Sequence, residues 1–99
     1  MAKKQEMYRF TGKTTDGRVV VGGIYEFTST YGYPLVELLY DMQGEDLVVD
    51  WLDFYQHALE FGMKSDRILG RMSEAINEVY GAKHCEEVMN RMEIYLESV

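Results

Sequence analysis

The sequence predicts an α+β domain: a small, bent antiparallel sheet followed by a short helix and a C-terminal helical hairpin. Three observations predict it. Through residues 7–51, apolar and polar positions alternate between turn-rich stretches, the period-two signature of strands. From residue 65 onward, apolar side chains recur at three- and four-residue spacings, the signature of amphipathic helices. The 99 residues, 46% apolar and 13% aromatic, suffice for one packed core and allow one domain. On this reading residues 1–6 form a short polar, disordered tail. Residues 7–51 are the β-rich part and residues 52–99 the helical part of a single domain spanning 7–99.

In the first strand, Tyr8 and Phe10 share one face and Arg9 takes the other. Gly12 to Gly17 is turn-rich, and Asp16-Gly17 can supply a left-handed position. Arg18 to Val21 is a β-branched run suited to an extended backbone. Gly22-Gly23 then implies a bulge or sharp bend, after which Ile24-Tyr25-Glu26-Phe27-Thr28 resumes the alternation. Residues 29–34 form a loop, and Pro34 forbids a helix running through it.

Residues 35–51 admit two readings. One is a hairpin pairing Val36–Tyr40 with Leu47–Trp51 and turning at Gln43-Gly44. The other is a helix over Asp46–Phe61, since Asp46, Asp50, Asp53, His57 and Glu60 recur at spacings of four, three, four and three. Val48-Val49 are weak helix formers, which favours the hairpin followed by a helix from about Leu52.

The C-terminal part reads as two helices. Ser65 is suited to an N-cap, and Ile68, Leu69, Met72, Ala75, Ile76, Val79 and Tyr80 form one stripe ending before Gly81, where a left-handed cap is expected. The second helix runs from about Ala82 to Glu97, with Cys85, Val88, Met89, Met92, Tyr95, Leu96 and Val99 on its apolar face. A joint this short at Gly81 suggests an antiparallel hairpin, with a sharp bend as the alternative. Its apolar faces must be buried against the sheet or a second copy of the chain. Met72, Met89 and Met92 fall on these faces and read as core filling; the alternative, since thioethers make adaptable surfaces, is that they are the candidate contacts of a homodimer.

The order of a strand, a turn and Gly22-Gly23-Ile24-Tyr25-Glu26-Phe27, then Val36-Glu37-Leu38-Leu39-Tyr40-Asp41, Gln43-Gly44-Glu45, Val48-Val49-Asp50-Trp51 and Phe54, resembles the small SH3-like barrels of phage and prophage proteins. The resemblance covers residues 7–56 and contains no catalytic motif. It implies a barrel-like sheet and an accessory role, in which a small protein modulates a host factor. The C-terminal helical pair is not part of that pattern.

Charge is the most informative surface feature. Ten Lys and Arg stand against seventeen Asp and Glu, a net charge of −7. Residues 24–62 hold Glu26, Glu37, Asp41, Glu45, Asp46, Asp50, Asp53 and Glu60 with no Lys or Arg, whereas residues 1–23 are net positive. An acidic balance argues against direct nucleic-acid binding, which needs clustered cations. A one-signed central segment would instead steer association with a basic protein surface. Glu37, Asp41, Glu45, Asp46, Asp50, Asp53 and Glu60 are therefore the candidate partner-binding residues. Any of Tyr40, Trp51, Phe54 and Tyr55 left exposed beside them would serve as an anchor.

Other chemistry finds little support. Asp50, Asp53 and His57, joined by Glu37 and Asp41, could gather a divalent cation, and a small metal-dependent enzyme is the rival reading that uses them. No basic or glycine-rich phosphate cradle accompanies them, and no cofactor is implied. His84-Cys85 are neighbours about 100° apart on a helix, so they do not meet as base and nucleophile. Cys85 is the sole cysteine, which suits a reducing compartment. The start shows no hydrophobic signal core, and no apolar run approaches the roughly 18 residues of a membrane span. The expectation is a cytoplasmic, non-enzymatic protein-binding module.

Overall fold

In a computed structural model of the chain, residues 8–98 are described. The expected tail, Met7 and Val99 lie outside them. Among the described residues the fold is α+β: a three-stranded mixed sheet and five helices, with 67% of these residues helical. So large a helical share leaves too little strand for a barrel, and the sheet is not closed.

Strands β1 (Arg9–Lys13) and β2 (Val19–Gly22) form the expected antiparallel hairpin, with an irregularity between Phe10 and Gly12. Its turn is closed by Thr14 N–H donating to Arg18 O at 2.9 Å. Gly17, at φ 88°, supplies the left-handed position. From β2 onward the structure departs from the expected meander. Gly23, at φ 85°, turns the chain out of the sheet into helix α1 (Ile24–Tyr31), and Gly32, at φ 65°, ends it. The strand expected at 24–28 is therefore a helix. Ile24, Tyr25, Phe27 and Thr28 are all buried while Glu26 reaches the surface. A strand would have sent these four side chains to opposite faces; a helix gathers them onto one.

The hairpin expected across 35–51 is corrected in the same way. Pro34 is extended and leads into helix α2 (Leu35–Gly44), whose buried residues Leu35, Leu38, Leu39 and Met42 follow the i, i+3, i+4, i+7 rule. Asp46, at φ 59°, then turns the chain into β3 (Leu47–Val49). This strand pairs with β2 rather than with Val36–Tyr40, and it pairs parallel: Val19, Val20 and Val21 face Leu47, Val48 and Val49. The sheet order is β1-β2-β3, with α1 and α2 making the crossover between the parallel strands.

Helix α3 (Trp51–Glu60) starts one residue before the expected position. Asp50 caps it, its carboxylate accepting from Asp53 N–H at 3.1 Å. Helices α4 (Ser65–Tyr80) and α5 (Ala82–Ser98) form the C-terminal pair. Ser65 is the first helical residue rather than the cap; its hydroxyl lies 2.7 Å from Tyr55 Oη, and Lys64 precedes the helix without a side-chain cap. Gly81 has positive φ, 95°, but an extended ψ of 169° instead of the left-handed cap. The two helices fold back on each other, as Cys85 Sγ lies 3.4 Å from Ser73 O.

One continuous core joins these elements. Helix α1 packs on α3, α2 on α4, and α2 also on β3. Val21 and Val49 enter this core and Val19 and Leu47 pack against it, whereas Val20 and Val48 are half-buried at a groove beside α5. Alternation along the short strands thus gives the sheet one closed face and one open face.

Candidate docking face

The cation-free segment does not stay unneutralised. Asp53 is held by Arg9, which lies 44 residues away in sequence: Arg9 Nη2 donates to Asp53 Oδ1 at 2.9 Å. Arg9 Nη1 donates to Glu26 Oε1 at 2.9 Å and to Oε2 at 3.1 Å. The other Asp53 oxygen, Oδ2, accepts from Gly23 N–H at 2.9 Å. His57 Nδ1 stands 3.0 Å from Glu26 Oε1 and 3.4 Å from Asp53 Oδ2. Hydrogen bonds to Glu26 and then Asp53 hold the Arg9 guanidinium above the usual arginine value. The cluster ties β1 to the starts of α1 and α3. The Asp53 side chain is only 17% exposed there.

Several expected docking residues therefore have structural work inside the molecule. Asp53 belongs to this cluster, and Asp50 is the cap of α3. Asp41 accepts from Tyr33 Oη at 2.8 Å. Glu37, Glu45, Asp46 and Glu60 remain exposed. Glu37, Tyr40 and Asp41 share the outer face of α2 at i, i+3 and i+4. Tyr40 is 50% exposed, and its hydroxyl lies 3.5 Å from Glu78 O on α4. Trp51, Phe54 and Tyr55 are all buried, so Tyr40 alone of the four candidate anchors stays exposed. Glu78, with Glu74 one turn before it, is exposed on α4. The sequence reading missed Glu78, because only the packing of α2 on α4 brings it beside Tyr40.

Of the methionines expected at an oligomer contact, Met72 is 0% and Met92 5% exposed, so both serve the core of the single chain. Met89 is half-buried in a shallow apolar dip with Leu69 and Leu96, flanked by Glu93 and Glu97. Cys85 is half-buried against α4. Among the described residues, no three of His, Cys, Asp and Glu are arranged to hold a metal ion. Asp53 and His57 do meet, but a guanidinium stands between the carboxylates where a cation would sit. Among the described residues, no helix is long and apolar enough to cross a membrane.

No protein-family profile, curated protein or solved structure matches the chain.

Proposed function

We propose that the chain is a non-catalytic protein-binding module that docks a basic protein surface against the outer face of α2 and the adjoining end of α4. The observation that carries this reading is Tyr40: a half-exposed aromatic one turn after Glu37, its hydroxyl reaching the backbone of Glu78. An aromatic anchor beside exposed carboxylates is suited to a partner with a pocket rimmed by Lys and Arg. The carboxylates would speed encounter, and the ring would hold the complex once water is excluded around it. A cytoplasmic accessory role of the phage type, modulating a basic host protein, is the setting that the sequence resemblance implies.

The test is capture of partners at low ionic strength by wild-type chain, Tyr40→Ala and Glu37→Lys/Glu78→Lys. A basic protein retained by the wild type is then purified and its affinity measured directly. Tyr40→Ala should weaken it by at least tenfold. The double charge reversal should slow association and abolish its salt dependence. Equal affinity for all three chains would rule out this face.

A further inference from the structure

Helices α4 and α5 do not close on each other along their outer side. A groove of about 390 Å³ lies there, lined by Leu69 of α4 and by Met89, Met92 and Leu96 of α5. Met92 is its buried floor, whereas Leu69, Met89 and Leu96 are half-buried walls. Met89 and Leu96 are seven residues apart, so the apolar strip runs about 10 Å, two turns of helix. Gly70, next to Leu69, brings no side chain to the rim, and a Cβ there would meet no atom within 4 Å.

The rim carries charge of one sign. Glu93 and Glu97, both exposed, line the groove on α5. Asp66, also exposed, lies one turn before Leu69 on the same face of α4. Among the described residues none of these three carboxylates makes an ion pair. The cations nearest in sequence point elsewhere. Arg67 and Arg71 each stand two residues from Leu69, on the opposite side of α4. Arg91 lines the other side of α5, toward the sheet.

We propose that this groove binds a cationic amphipathic helix of a partner protein. The helix would lay its apolar face on Leu69, Met89 and Leu96 and set its Lys or Arg residues beside Glu93, Glu97 and Asp66. Backbone chemistry selects a helix. An extended peptide needs unpaired backbone groups to bond with, and both walls are helices whose interior N–H and C=O groups are already paired; a bound helix satisfies its own. Methionine and leucine walls repack around the apolar side chains of such a helix. The charge selects its sign. Unpaired carboxylates attract Lys and Arg, and in a two-fold contact between copies of this chain the same carboxylates would oppose each other. The site does not depend on the face of α2.

The probe is an amidated four-turn peptide of leucine and lysine, with leucine at helical spacing, labelled for fluorescence anisotropy and titrated with the full chain. One-to-one saturable binding is expected. A counterpart with glutamate for every lysine, and a scrambled peptide of the first composition, should each bind at least tenfold more weakly. Met89→Lys should lose at least tenfold for the first peptide and Glu93→Gln/Glu97→Gln about tenfold, while Tyr40→Ala loses nothing. Glu93 and Glu97 are exposed, so the charge variant should keep its fold, checked by circular dichroism. Backbone amide chemical shifts should move around Leu69, Met89 and Leu96 and stay fixed around Tyr40. Equal affinity for the scrambled peptide, unchanged affinity in both groove variants, or shift changes centred on Tyr40 would each overturn the assignment. So would a concentration-dependent dimer that covers Met89 without peptide.

Discussion

Asp53 and Glu37 come from the same stretch without a Lys or Arg and end in opposite surroundings. Asp53 sits under a guanidinium and a backbone N–H, its charge matched at two oxygens. Glu37 stands on the outer face of α2, one turn before Tyr40. Both carboxylates belong to helices, and both helices bury the opposite face. What separates them is which distant element arrives: β1 brings Arg9 to α3, whereas α4 brings the exposed Glu78 to α2. Unmatched carboxylates beside an exposed aromatic ring are what the proposed docking surface requires, and matched charges make a clasp within one chain. Local charge density does not distinguish the two; the long-range pairing does.

The contrast is best broken at the clasp. Asp53→Ala leaves Gly23 N–H without its acceptor and takes one of the two carboxylates from Arg9, which keeps Glu26, and an expected loss of about 2–3 kcal/mol should appear in urea unfolding. A smaller effect, about 1–2 kcal/mol, is expected for Gly22→Ala. Its Cβ would stand 2.9 Å from Asp53 Oδ2, so the carboxylate must shift. In an Asp53→Ala background the same change should cost much less. Additive losses in that double-mutant cycle would show that Gly22 acts through something other than the carboxylate.

Asp50→Ala removes the cap of α3 and should cost about 1 kcal/mol, with the Arg9 cluster intact. Burial pushes His84 below the ordinary histidine value of 6.5, an effect Glu87 opposes and Arg91 and Arg18 reinforce. As pH falls below 6.5 the unfolded chain binds a proton that the folded chain resists. Acidification through that window is therefore destabilising, and His84→Gln should reduce the slope of stability against pH there. At the open face, Glu37→Gln should change stability by no more than about 0.5 kcal/mol while lowering the association rate with a basic partner. A loss as large as that of Asp53→Ala would place Glu37 in a clasp of its own and remove it from the docking face.

The helical hairpin was legible because each helix buries a single stripe, and spacings such as Ile68, Met72, Ala75 and Ile76 fit only one period. The β1–β2 turn was legible from Asp16-Gly17. The stretch 24–44 was not. Ile24 to Thr28 satisfies both an alternating pattern and a helical one, and five residues cannot separate the two periods. Leu35, Leu38, Leu39 and Met42 did carry the helical spacing, but the β-branched Val48-Val49 beyond Gly44 drew the whole segment toward a hairpin. The proposed docking face was half visible. Its carboxylates and Tyr40 were candidates, yet without α2 as a helix Glu37 and Tyr40 did not share a face.

The sequence by itself determined that this is an α+β chain with a sharp charge asymmetry, an N-terminal strand hairpin and a C-terminal pair of amphipathic helices. These follow from turn chemistry and periodicity, which act within a few residues. Only the tertiary structure decided the parallel pairing of β3 with β2, the neutralisation of Asp53 by Arg9 and the meeting of Tyr40 with Glu78. Each joins residues far apart in the chain, and such contacts are selected by the burial of the whole core rather than by any local preference.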